Sequence, residues 1–146
     1  MDRYIDMHCH ILPEVDDGAQ SMEETRRMLG MAYREGVRYI IATPHHHPGR
    51  GRAEPQELRR QLRKVREEAA KISDRLKVFL GTEIYFGQDV PDKLKENKVL
   101  TINRTRYVLV EFSPSDSFEY IHRGIQLIQM KGYIVILAHA ERYDCL

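Results

Sequence analysis

The chain has 146 residues, 42% hydrophobic and 31% charged, which suits one ordinary globular domain built on a single core. Its 23 Lys and Arg against 22 Asp and Glu create no net field that would make nucleic acid or an anionic membrane the main partner, leaving a small-molecule or peptide substrate open. Cys9 and Cys145 form no C-x-x-C pair, residues 1–6 hold no apolar signal region and the longest apolar run, 134–138, is too short to span a bilayer, so a reducing cytoplasm is the expected setting.

A first strand is expected around Ile5, followed by Asp16-Asp17-Gly18, whose composition suits a turn. Ser21-Met22-Glu23-Glu24 reads as a capping box, and Met28, Leu29, Ala32 and Tyr33 follow at helical spacing up to a stop at Gly36. Residues 39–42 form an apolar run rich in Tyr and Ile, as buried strands are. Over 54–76, Leu58, Leu62, Val65, Ala69, Ile72 and Leu76 alternate in steps of four and three among charged residues, which predicts an amphipathic helix. A strand at 78–80 leads to a less regular stretch after Phe86, then a strand at 107–110. A helix over 117–131 presents Phe118, Ile121, Ile125 and Ile128 and ends at Gly132, before a last strand at 133–138. Strands alternating with helices imply parallel pairing through right-handed crossovers, in a barrel or a doubly wound sheet.

Polar side chains recur at the strand ends. In Asp6-x-His8-x-His10 the strand period of two turns all three residues to one face, so His8 and His10 can grip one metal ion. Alone, the pair suits half-buried, hydrogen-bonded histidines equally well. Each later strand, however, delivers a ligand type at or just beyond its C-terminal end: His45, Glu83, Glu111 and His139. In parallel α/β folds those ends form the functional face, so residues scattered in sequence should converge. Buried carboxylates at Glu83 and Glu111 need compensation, which a metal ion supplies and an arginine partner would supply as well. Imidazoles mixed with carboxylates suit Mn, Fe or Zn, and the number of donors suggests more than one ion.

The segments Ile5-Asp6-Met7-His8-Cys9-His10-Ile11-Leu12-Pro13, Val15-Asp16-Asp17-Gly18, Ala42-Thr43-Pro44-His45, Gly81-Thr82-Glu83-Ile84-Tyr85, Val110-Glu111-Phe112-Ser113 and Ala138-His139-Ala140-Glu141-Arg142-Tyr143 together resemble a known family. They are similar in order and spacing to the manganese-dependent protein-tyrosine phosphatases of bacterial capsule and exopolysaccharide synthesis, members of the PHP (polymerase and histidinol phosphatase) superfamily. The resemblance implies one α/β domain over 1–146, a distorted (β/α) barrel of the PHP type. It implies His8, His10, Asp17, His45, Glu83, Glu111 and His139 as metal ligands, two or three Mn ions, and Arg142 as a phosphate-contacting residue, a role suited to a planar guanidinium. The implied reaction is hydrolysis of a phosphotyrosine ester by metal-activated water, on a substrate such as a tyrosine kinase controlling capsule synthesis. The family also carries a late Asp-x-His motif and further strands that do not occur before Leu146. The barrel is therefore expected to be incomplete at the C-terminal end, with self-association through unpaired edges.

Other residues read differently. His46 and His47 cannot both face the site of His45, so at most one lines the cleft, and His122 falls on a helix surface. Arg59, Arg60, Arg63, Lys64 and Arg66 read as a solvated helix face balanced by Glu57, Glu67 and Glu68. Cys9 has Val15 where a cysteine phosphatase needs the arginine of C-x5-R, and only Leu146 follows Cys145 in this sequence, so a thiolate mechanism is not expected. The rival readings are a PHP phosphatase for a small phosphomonoester, such as histidinol phosphate, and an inactive metal-binding or interaction protein.

Overall fold

Every ladder between strands is parallel in the computed structural model, which describes residues 3–146. The strands are β1 (Tyr4–Cys9), β2 (Val37–Ala42), β3 (His45–His46), β4 (Lys77–Leu80), β5 (Glu83–Tyr85), β6 (Tyr107–Glu111) and β7 (Ile134–Leu137). The helices are α1 (Met22–Arg34), α2 (Pro55–Ile72), α3 (Val90–Lys95) and α4 (Phe118–Met130), with short 3-10 turns at Ile102–Arg104 and Ala140–Arg142.

One sheet runs β1-β2-β4 and a second β3-β5-β6-β7. They are two parts of one curling surface, because β3 continues β2 beyond Thr43-Pro44 and β5 continues β4 beyond Gly81-Thr82. Backbone bonds bridge the breaks: Thr43 N–H donates to Cys9 O, Gly81 N–H to Ala42 O and Glu83 N–H to Pro44 O. Ile102 wedges against the bend, where a Cβ on Gly81 would meet its Cδ1 at 3.2 Å. The expected mixed α/β architecture with parallel strands is therefore present. The barrel is not closed among the described residues, since β1 pairs only with β2 and β7 only with β6.

Amphipathic faces place the layers. Leu58, Leu62, Val65 and Ala69 of α2 pack with Leu29 of α1 against Ile40, Val78 and Leu80 of the first sheet. Ile121 and Ile128 of α4 pack against Ile84, Val108 and Val110 of the second, together with Phe86, Phe112 and Tyr143. Leu109, between Val108 and Val110, turns to the opposite face and joins Ile102 and Ala138 there, as the strand period requires.

Several expected boundaries move. Ser21 Oγ accepts from Glu24 N–H at 3.2 Å as a capping box predicts, but Glu24 Oε2 reaches back to Gln20 N–H rather than to Ser21. Helix α2 stops at Ile72 instead of reaching residue 76. Ser73 is extended and its Oγ accepts from Arg75 N–H, a local alternative to the helix ladder, while Leu76 enters the core from the following turn. Phe118 is 51% exposed and stacks on His122 at the surface, so the stripe of α4 runs through Ile121, Gly124, Ile125 and Ile128. The stretch after Phe86 contains α3, opened by Pro91, a six-residue helix too short to show a periodic pattern.

Candidate metal centre

The strand ends converge as the parallel topology requires. His8 lies in β1 and His10 one residue past it, His45 begins β3, Glu83 begins β5, Glu111 ends β6, and His139 follows β7 by two residues. The β3–β5 register sets His45 beside Glu83, and the β5–β6 register sets Tyr85 beside Glu111. His139 adopts a left-handed backbone, φ 56° and ψ 37°, that turns the chain at the strand end.

Glu83 is the hub. Its side chain is fully buried, with Oε2 2.9 Å from His8 Nε2, 3.0 Å from His10 Nε2 and 3.4 Å from His45 Nδ1, while Oε1 lies 2.7 Å from His139 Nε2. His45 Nδ1 is also 3.1 Å from Glu111 Oε1. Burial disfavours the Glu83 carboxylate, but hydrogen bonds from His10 and His8 overcome it and hold the pKa well below the usual carboxylate range. Burial likewise opposes charge on His10, and its bonds to Asp16 and Glu83 prevail, raising its pKa to about 9.

Two donor groups result, His8–His10–Glu83 and His45–Glu83–Glu111, each with ligand atoms within 4.8 Å of one another. Donors on one ion at about 2.1 Å stand roughly 3.0–3.4 Å apart in octahedral or tetrahedral arrangements, close to the 2.9, 3.0 and 3.4 Å that separate the three imidazole nitrogens from Glu83 Oε2. The donor set thus fits metal ions, and Glu83 is shared by both groups.

The neighbouring aspartates divide the work differently from the sequence reading. Asp17 is 57% exposed, its Oδ1 3.5 Å from His45 Nε2 and its Oδ2 3.8 Å from Arg50 Nε, so it stands at the rim of the cluster. Asp16, which the sequence suggested only as a turn residue, is the buried one. Its Oδ1 accepts from Gly18 N–H, which makes the turn, while Oδ2 sits 3.0 Å from His10 Nδ1 and accepts from His45 N–H. Holding Nδ1–H of His10 leaves Nε2 free to ligate. Asp6 accepts from His8 N–H at 3.1 Å and sits beside the Cys9 thiol instead of joining the cluster. Burial, then Asp6, pushes that thiol up to about 12, so Cys9 is no nucleophile at neutral pH.

A cleft of about 250 Å³ opens beside the cluster, lined among others by His47, Tyr85, Glu111, His139 and Arg142. Arg142 is exposed and 3.7 Å from Glu141 Oε1, so it combines the surface pair with a position on the cleft rim. His47 faces the cleft, whereas His46 turns away towards Lys93 Nζ at 3.3 Å. His122 lies on the exposed face of α4. Arg60 pairs with Glu57, and Arg66 donates to Val78 O, away from the cluster. Asp16, Tyr85 and Arg50 escaped the sequence reading. Asp16 was hidden by its turn motif, and Tyr85 carried a legible signal in Glu83-x-Tyr85, two residues along the same strand face.

Comparison with known proteins follows the same outline. The model of the family described as capsular polysaccharide synthesis, CpsB/CapC, matches residues 4–146. The chain is 40% identical over 142 residues to the tyrosine-protein phosphatase CpsB of Streptococcus pneumoniae, covering 97% of this chain and 58% of that protein. It is 38% identical over 138 residues to the tyrosine-protein phosphatase YwqE of Bacillus subtilis, covering 94% of this chain and 54% of the relative. A crystal structure from work on YwqE and S. pneumoniae CpsB, described as unique metal-dependent tyrosine phosphatases, superposes with a TM-score of 0.87 at 38% identity, covering 95% of this chain and 56% of that one. The chain therefore spans a little over half the length of these relatives.

Proposed function

Because the chain belongs to the CpsB/CapC family of capsular polysaccharide synthesis, we propose that it is a metal-dependent protein-tyrosine phosphatase built as one PHP-type domain. The observation that carries this reading is the buried Glu83 carboxylate facing four imidazoles, a donor set that two metal ions would share. His8, His10 and Glu83 would hold one ion and His45, Glu83 and Glu111 another, with Asp17 and His139 completing the sites. Mn is the proposed metal, in two or three positions, with Fe or Zn suited to the same donors.

Bound ions would supply Lewis acidity towards a phosphoryl oxygen and a lowered pKa for water. The protein does the rest. Asp16 would fix the tautomer of His10, and Arg142, which lines the cleft, would bind two phosphoryl oxygens and stabilise charge that grows on them. A phenol, with a pKa of about 10, leaves more readily than an alkoxide and depends less on a general acid. The proposed substrate is a phosphotyrosine protein, such as a bacterial tyrosine kinase of capsule synthesis, and the proposed setting is the cytoplasm. Free Cys9 and Cys145 agree with that setting, and no helix among the described residues is long and apolar enough to cross a membrane.

The test is hydrolysis of a phosphotyrosine peptide and of a small alkyl phosphate, with chelator and with added Mn. Cleavage of the peptide, lost on chelation and restored by Mn, is expected. Cleavage of the alkyl ester alone would transfer the chain to small phosphomonoesters, and metal binding without turnover would make it a binding protein.

A further inference from the structure

We infer that the cleft beside the cluster is an aryl subsite, in which His47 and Tyr85 form a wall for the ring of the substrate's leaving group; this rests on the phosphatase reading above. The argument begins with strand periodicity. His47 is the next same-face residue after His45, and Tyr85 the next after Glu83. The ladder that pairs His45 with Glu83 ends at His46 and Ile84, and His47 and Tyr85 meet through their rings just beyond it. Their ring centroids are 4.4 Å apart at 57°, and both line the cleft that Glu111 and His139 of the cluster also line. A two-residue step is roughly 6–7 Å, which sets the wall beside the ring of an ester whose phosphorus lies at the cluster.

The wall is held in place. His47 Nδ1 accepts from Gly49 N–H at 2.9 Å, and His47 N–H donates to Gly51 O at 2.7 Å. Gly51 has φ +146°, and a Cβ there would meet Val15 O at 2.7 Å and Asp16 Cβ at 2.9 Å, so the turn is seated against the segment that orients His10. Arg50, carried by the same turn, and Arg142 also line the cleft, both half-exposed or more, and offer guanidinium groups to a dianionic phosphate. An alkyl ester offers no face to these rings, so the wall should discriminate among esters while the cluster and arginines bind the phosphoryl group of all of them.

Phenylphosphonate and methylphosphonate, which share the anionic head and cannot be hydrolysed at phosphorus–carbon as esters are, separate the two contributions. Their dissociation constants are measured by calorimetry on the Mn-loaded chain, with metal content checked in each variant. Tyr85→Leu should lower the preference for phenylphosphonate about three- to tenfold, the range of an aromatic pairing, and Tyr85→Phe should retain it. His47→Leu, in the other ring of the wall, should narrow the preference in the same way and covers the case in which Tyr85→Leu does not fold. Equal weakening of both phosphonates, or an unchanged preference in a folded variant, overturns the aryl subsite and leaves the phosphatase reading standing. Failure of the wild-type chain to bind either phosphonate overturns both.

Discussion

Asp16→Asn should lower metal affinity by about 10- to 100-fold, the usual consequence of altering the partner of a ligating histidine. That range corresponds to about 1.4–2.7 kcal/mol. The carboxylate has three donors facing it: Gly18 N–H on Oδ1, and His10 Nδ1–H with His45 N–H on Oδ2. An asparagine has one oxygen for both positions. If the oxygen faces His10 and His45, the amide NH2 opposes Gly18 N–H. If the amide is flipped, its NH2 opposes His45 N–H and forces the His10 proton onto Nε2, the atom directed at Glu83 and needed for ligation. Either way one of the three donors loses its acceptor, at about 1–3 kcal/mol of stability, and in the flipped orientation the proton on Nε2 competes directly with a metal ion, which lowers affinity. Mn titration calorimetry on wild type, Asp16→Asn and an exposed control, Glu96→Gln, gives the comparison, and nitrogen NMR of His10 reports its tautomer. Wild-type affinity together with an unchanged tautomer in Asp16→Asn would reduce Asp16 to a turn residue and refute the reasoning.

Arg142→Lys should lower kcat about tenfold or more while metal content stays constant, because Lys keeps the charge and loses the bidentate fork; unchanged turnover would leave Arg142 only its pairing with Glu141. Gly124→Ala puts a Cβ 2.9 Å from Phe112 Cε1 and 3.0 Å from Phe86 Cε1. Overpacking of about 1–3 kcal/mol then outweighs a helix-propensity gain of about 1 kcal/mol, and urea unfolding should show a net loss of about 1 kcal/mol. In chelated protein, His10 with its pKa raised to about 9 contributes stability that is fully present below its ordinary value near 6.5 and lost as pH rises through about 9. The Tm of the chelated chain should fall across that window and that of the Mn-loaded chain should not, since a ligating His10 is already neutral; a flat Tm in chelator would contradict the assignment.

Much of the site was legible because its signals are local. Period-two strands, amphipathic helices and helix stops are written within a few residues, so β1, β2, β4, β6, β7, α1 and the apolar face of α2 follow from the order of side chains alone. The parallel alternation then brings strand ends to one face, and that rule by itself gathers His8, His10, His45, Glu83, Glu111 and His139. Tertiary structure decided whatever depends on partners distant in the chain. β3 and β5 are two and three residues long, too short to announce themselves, and exist because they extend the ladders of β2 and β4 past the bend at Pro44 and Gly81. Asp16 and Asp17 are adjacent and chemically identical, and only the packing of their turn against His10 and His45 makes one the buried orienting group and the other a rim residue. Pattern specifies which face a side chain takes. Which atom of that side chain meets which partner is set by sheet curvature and register, and these are sums over long-range contacts that no short window of sequence contains.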